Sequence, residues 1–132
     1  MHLVSLTPEP AALTPRSFLR PCLLLLLREE PAHGYDLLER LGPFGWTFSA
    51  SDPGRLYRTL RRLEEEGLVH SYWEPSSEGP SRRVYHITRA GMEELQGSAN
   101  ALIETRRRIQ VLLSRYQEFV SLSGGLERSR AR

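Results

Sequence analysis

The stretch DPGRLYRTLRRLEEEGL, Asp52 to Leu68, decides the reading of the fold. Leu56, Leu60 and Leu63 recur at i, i+4, i+7, the spacing of one buried helical stripe. Asp52 stands where an N-cap is wanted, Pro53 at the first helical position, where a missing N–H costs least, and Gly67 where a helix ends. Turn the leucines toward a core at about 100° per residue, and Arg58, Arg61 and Arg62 fall on the opposite face with Gly54, while Arg55 lies at the exposed first turns. Four guanidiniums on one short helix repel one another and oppose the helix dipole, which favours anions at its N-terminus. Pairing of Arg61 with Glu65 and of Arg62 with Glu66 recovers only about 0.2–0.5 kcal/mol each, in the less favourable order. An anion outside the protein resolves the conflict. Phosphate oxygens and guanine edges both accept bidentate guanidinium contacts.

Downstream, LVHSYWE and RRVYHIT have strand composition and flank the polar PSSEGPS, which predicts a β-hairpin whose far side presents Ser81, Arg82 and Arg83. Adjacent strand residues point to opposite faces, so one of the two arginines reaches a groove and the other a flanking phosphate. Upstream, PAHGYDLLERLG carries an apolar stripe of Tyr35, Leu37, Leu38 and Leu41 and predicts a short helix closed by Gly42, with His33 and Tyr35 in capping and packing roles. The loop between the two helices holds Phe44, Trp46 and Phe48, expected to fold back onto the core. SFLRPCLLLLLREE, from Ser17, predicts a helix apolar nearly all round, with Pro21 tolerated near its first turn. Helix, helix, helix, hairpin, long helix is the order of a winged helix-turn-helix, mainly α with a small β-hairpin.

From Thr88 a helical pattern runs to about Val120. Positions 92, 95, 99, 102, 106, 109, 113, 116 and 120 form a seam of Met, Leu, Ala, Leu, Arg, Ile, Leu, Tyr and Val. Such a helix, about 45 Å long for some 30 residues, outruns a small domain. The seam therefore predicts a second copy of the same chain: Leu95, Leu102, Ile109, Leu113, Tyr116 and Val120 meet the partner, and Phe18 and Leu19 of the first helix complete the shared core. Arg106 within the seam then needs a partner-chain carboxylate or a path to water. Gly97 and Ser98 predict a bend.

The 132 residues, 39% apolar, fit one domain with modest tails. The expected organisation is a flexible arm over 1–16, a DNA-binding domain over 17–87, a dimerisation helix over 88–121 and a flexible basic tail over 122–132. The formal net charge of +2 is small, and all 18 basic residues are arginine, so the argument for nucleic acid rests on their clustering. Cys22, in the run CLLLLL, is read as a buried hydrophobe in a reducing, cytoplasmic compartment, and that run is too short for a membrane span. Catalysis, cofactor and metal are not expected: His33, His70 and His86 lack ligand spacing, and there is no glycine-rich phosphate loop.

AHGYDLLERL, DPGRLYRTLRRLEEEGLV, SEGPSRRVYHITRAG and the long last helix together resemble the PadR family of bacterial transcriptional regulators, over roughly residues 18 to 120. The resemblance implies a homodimer joined by its C-terminal helices, a winged-helix domain on double-stranded DNA, and repression relieved by an effector, a small molecule or a polymer; the two-fold symmetry of such a dimer predicts a pseudo-palindromic operator. Carried over by position, LYRTLRRLE makes Tyr57 and its flanking arginines DNA contacts, and HGY makes Tyr35 a phosphate contact. FGW, DPG, YRTLR and GPSRRVY look more particularly like polyhydroxybutyrate-responsive repressors. The competing reading is a winged helix whose arginines meet an acidic protein instead of DNA.

Overall fold

The structure, a computed structural model, describes residues 15–45 and 53–130, the side chains of 15, 16 and 125–130 excepted. The arm before Pro15, Trp46 and Phe48 of the aromatic loop, and the expected cap Asp52 lie outside the described residues. In chain order the elements are α1 (Pro15–Glu29), β1 (Ala32–His33), α2 (Gly34–Arg40), a 3-10 turn (Gly42–Phe44), α3 (Pro53–Glu65), β2 (Val69–Glu74), β3 (Arg82–Ile87) and α4 (Arg89–Arg130). The fold is that of a winged helix, mostly helical, with a small antiparallel sheet and a long last helix.

Burial starts from α1. Leu19, Cys22, Leu23, Leu24, Leu26 and Leu27 are buried and meet Leu37, Leu41, Leu56, Leu60 and Leu63 from α2 and α3 in one core cluster. The helix begins two residues before Ser17, so Pro21 lies in its interior and not in its first turn. An interior proline costs about 3 kcal/mol, and each leucine buried beside it contributes about 1.5–3 kcal/mol, which is why the helix survives it. Desolvation pushes the Cys22 thiol up to about 12, so it is a neutral hydrophobe at ordinary pH.

Two expectations about the next segment are corrected. Ala32 and His33, expected to lead directly into a helix, form a short strand opposite Tyr85 and Val84 of β3, which makes a three-stranded sheet of order β1-β3-β2. Two residues are too few to show a period, so nothing local marks this strand. Gly42 does not close α2 in a left-handed conformation; it opens the 3-10 turn, and Gly45, at φ 87°, is the left-handed residue that ends it. Phe44 in that turn does fold back, meeting Phe18 edge-on at 6.3 Å between ring centroids.

In the hairpin, Val69 pairs with Ile87, Ser71 with Tyr85 and Trp73 with Arg83, and these six share the face turned to the helices; His70, Tyr72 and Glu74, paired with His86, Val84 and Arg82, share the other. Thr88 joins hairpin to α4: its N–H donates to the Leu68 carbonyl, its hydroxyl donates to the Gly67 carbonyl, and its Oγ1 accepts from the Gly91 N–H. Gly67, at φ +76°, makes the turn from α3 into β2.

Helix α4 is continuous through Gly97 and Ser98 and runs on to Arg130, past the expected end near Val120 and through the expected flexible tail. Gly124 and Gly125 cost about 1 kcal/mol each relative to alanine, too little to end a helix that is already propagating. The chain divides into two compact units, one ending at Ala99 and one beginning at Asn100. In the first, Leu95 of α4 packs on the core, and Arg20 of α1 donates to Glu66 at 2.6 Å and to Glu94 at 2.7 Å. In the second, Glu104 accepts from Arg107 and Arg108, and the Arg107 hydrogen bond leads in holding its carboxyl down at about 2; Arg106 is exposed.

Two consequences are measurable. A Cβ at Gly91 would run into the Leu68 carbonyl oxygen and come within 2.7 Å of Ile87, whereas one at Gly97 meets open space. Gly91→Ala should therefore lower stability to urea by about 1–3 kcal/mol, and Gly97→Ala should raise it by about 0.5–1 kcal/mol. Equal responses would show that α4 does not pack on Leu68 this closely. The hydrogen bond from Arg20 holds the Glu66 carboxyl below the usual carboxylate range, with Arg62 adding a weaker attraction. A lowered folded pKa stabilises above the unfolded value near 4.5 and is lost as pH falls through the folded one. Arg20→Gln should thus destabilise at pH 7 and shrink its deficit below about pH 4, read as urea midpoints against pH.

Candidate nucleic-acid interface

The leucines of α3 fix where its arginines go. Leu56, Leu60 and Leu63 are at most 2% exposed, and Arg58, Arg61 and Arg62 are exposed on the opposite side, as the spacing requires. Arg55 is half-buried at the start, its carbonyl accepting from Thr59 Oγ1. Tyr57 stands between the two faces, 43% exposed, its ring pressed on Gly34 at the start of α2, where a Cβ would approach to 2.6 Å. Glycine at 34 is a close-approach residue that leaves the Tyr57 ring its place, a signal that a lone HGY could not reveal.

The sheet brings the wing to the same region. Tyr35, Tyr57, Arg61, Arg82 and Arg83 line one open cleft of about 840 Å³, together with His33, Asp36, Glu64, Glu65, Trp73 and Tyr85. Arg55, Arg58, Arg62 and Ser81 are not among its walls. The candidate residues thus form a cationic helix surface and, beside it, an aromatic and arginine-lined cleft at the foot of the wing. Of the two wing arginines, Arg82 is exposed on the outer face, opposite Glu74. Arg83 is turned in: its Nε donates to Ser71 Oγ at 2.7 Å, its Nη2 lies 3.3 Å from Glu64 Oε2, and its guanidinium stands over the Trp73 ring at 5.7 Å. Sequence reasoning missed Glu64, Ser71 and Trp73, because the network needs a helix end and two strands brought together.

The internal pairing expected for α3 also changes. Glu66, expected to pair with Arg62, is taken by Arg20, and Glu64 is taken by Ser71 and Arg83. The glutamates serve the packing of α3 against α1 and the wing more than they neutralise α3 itself.

The histidines lie away from any ligand geometry. His33 Nδ1 is 3.1 Å from Asp36 Oδ2, and its Nε2 is 3.3 Å from Glu74 Oε2 without hydrogen-bond alignment. His70 and His86 stack at 5.2 Å and 1° on the outer face of the hairpin, with Tyr72 4.6 Å from His86. Burial, and then the neighbouring His70, lower the His86 pKa and favour its neutral ring. Among the described residues no group of three or more His, Cys, Asp or Glu could hold a metal, and no helix is long and apolar enough to cross a membrane.

The residues expected at a dimer interface divide. Leu19 is 2% exposed, within the core cluster of its own chain. Phe18 and Leu95 are half-buried against the same core. Leu102 is half-buried, and Ile109, Leu113, Tyr116 and Val120 are exposed along α4. Leu112 and Phe119, also exposed and left out of the seam, lie within about 80° of Ile109 around the helix. The apolar arc is thus wider than a two-position seam.

Comparison with known proteins agrees with this geometry. The model of the transcriptional regulator PadR-like family matches residues 23–97, from α1 through the sheet into α4. Transcriptional regulator Rv3488 of Mycobacterium tuberculosis (strain ATCC 25618 / H37Rv) is 36% identical over 94 residues, 71% of this chain and 84% of that protein. Among solved structures, the PadR-like transcriptional regulator BC4206 from Bacillus cereus strain ATCC 14579 superposes with a TM-score of 0.63 at 33% identity, over 72% of this chain and 90% of that one. A PadR family transcriptional regulator from Eggerthella lenta DSM 2243 does so with a TM-score of 0.54 at 30% identity, over 80% and 83%. These relatives are regulators and not enzymes, and the chain belongs to the PadR-like family of transcriptional regulators.

Proposed function

We propose that this regulator is a homodimeric repressor that binds a pseudo-palindromic operator in double-stranded DNA and releases it when an effector, a small molecule or a polymer, is bound. The observation that carries the reading is the cationic face of α3: Arg58, Arg61 and Arg62 exposed opposite a buried leucine stripe, with Arg82 of the wing nearby on the same cleft as Arg61. In this reading the first turns of α3 enter the major groove, Arg55 and Arg58 reach base edges, and Tyr57, Arg61, Arg62 and Tyr35 hold phosphates. Arg82, with Ser81 beside it, is the wing's contact with the backbone. The residues over 17–87 serve as the DNA-binding domain and those over 88–121 as the dimerisation helix. Leu102, Ile109, Leu113, Tyr116 and Val120, with Leu112 and Phe119, form the surface that a second copy covers, and Phe18 meets its edge. The dimer is isologous, with half-sites about one helical turn apart or a multiple of it.

The test is electrophoretic shift against genomic fragments in the presence of competitor DNA, followed by variants on the fragment recovered. Arg58→Ala should cost about 1–3 kcal/mol on that fragment and relax preference at one base pair; equal loss on random DNA would remove the base contact. Arg61→Ala should weaken specific and random DNA alike and reduce the salt slope by about 0.9 for each phosphate the protein no longer neutralises. For the dimer, Leu112→Asp with Phe119→Asp in the full chain should halve the mass found by sedimentation and abolish operator binding at the same concentration. An unchanged dimer mass would overturn the assignment of α4.

A further inference from the structure

Glu64 lies in the last turn of α3, the end that the DNA-binding reading withdraws from the duplex, yet it lines the same cleft as Tyr57 and Arg61. Its surroundings give it a use. Ser71 Oγ lies 2.7 Å from Glu64 Oε1 and 3.0 Å from Oε2, and the hydroxyl has a single proton to donate. Ser71 in turn accepts from Arg83 Nε at 2.7 Å, so the chain of donation runs one way, from Arg83 to Ser71 to Glu64. Arg83 Nη2 closes the ring of contacts at 3.3 Å from Glu64 Oε2. Ser71 is on β2 and Arg83 on β3, so both strands of the wing are tied to one atom group near the end of α3.

The register sharpens this. Arg83 pairs across the hairpin with Trp73, and Ser71 with Tyr85, so the Arg83 side chain reaches over the Trp73 ring and back toward the base of the hairpin, away from the tip. An arginine seeking a phosphate beyond the wing would extend the other way. The half-buried carboxylate, at 31% side-chain exposure, and the guanidinium cancel each other's charge within the cleft. We propose that Glu64 is the positioning residue of this interface: through Ser71 and Arg83 it sets the angle of the wing on α3, and so the distance between Arg82 and the arginines of the helix. The proposal rests on the DNA-binding reading for its effect on affinity, but the tie between helix and wing stands apart from it.

The experiment uses the full chain in a Trp46→Phe background, so that emission reports Trp73 alone. Glu64→Ala, Ser71→Ala, Arg83→Ala and the Glu64→Ala/Arg83→Ala double variant are compared for Trp73 emission without DNA, for amide exchange across β2 and β3, and for affinity to the recovered operator fragment. Each single variant should shift the emission and speed exchange in the wing, weakening binding by about tenfold, and the double should be no weaker than the worse single, because both remove one shared network. Glu64→Gln, which keeps an acceptor for Ser71, should retain most of the affinity. If Glu64 were merely a repelling charge and Arg83 a phosphate contact, Glu64→Ala would tighten binding and the two effects would multiply; either result overturns the proposal. Should Glu64→Ala fail to fold, Ser71→Ala carries the same test. Were no DNA bound by the parent protein, emission and exchange would still decide: unchanged values in all variants overturn the tie itself.

Discussion

The burial of Leu56, Leu60 and Leu63 against α1 is the constraint on which the rest depends. A helix can bury only one stripe, so committing these leucines to the core commits Arg58, Arg61 and Arg62 to solvent, whatever their mutual repulsion costs. Replacing any one of the leucines by alanine would cost about 2–5 kcal/mol, against a few tenths for each arginine contact within the helix. The apolar term therefore wins, and the cationic surface is its by-product. Because the same leucines meet Leu37 and Leu41, they also hold α2 in place, and with it Gly34 and the seat of the Tyr57 ring.

Electrostatics then arranges what packing leaves free. Arg20 lies on α1, and its two carboxylate partners are just past the end of α3 and near the start of α4, so one guanidinium ties α1 to both. Burial alone would weaken the Arg20 cation, but the hydrogen bonds to Glu66 and Glu94 outweigh it and its pKa is raised. Glu64, two positions before Glu66, turns to the wing instead. The EEE run thus does two jobs set by helical geometry, since residues two apart face directions about 160° apart. Neither job is the charge balance within α3 that their spacing from Arg61 and Arg62 suggests.

How far the sequence is legible follows from the range of each interaction. The helices α1 to α4, the hairpin and the orientation of α3 are all readable, because period, caps and turn residues act over a few positions: Leu56, Leu60 and Leu63 need no knowledge of what they touch. The strand at Ala32 and His33 is not, since two residues have no period and their pairing partners are some fifty positions away. α1 is apolar on nearly every side, and composition alone cannot say which of its residues, Leu19 among them, fill the core of their own chain. The end of α4 is misplaced because the apolar seam stops at Val120, although a propagated helix runs on past it and absorbs the cost of two glycines. Glu64, Ser71 and Arg83 come from three elements, and no local pattern announces their meeting.

The adjacent pair Arg82 and Arg83 shows why motif and contact differ. As a basic doublet after a polar tip, both read as DNA contacts, one to a groove and the other to a flanking phosphate. The period-two alternation of a strand assigns them opposite faces, and the outcome depends on what each face offers. On the inner face Arg83 finds an acceptor in Ser71, a carboxylate in Glu64 and the face of Trp73. On the outer face Arg82 sits opposite Glu74 in register, but the Glu74 carboxylate lies toward His33. No ion pair of Arg82 is seen among the described residues, so its charge is the one the wing has left to offer. Two identical residues, side by side, thus divide into one that builds the surface and one that can use it.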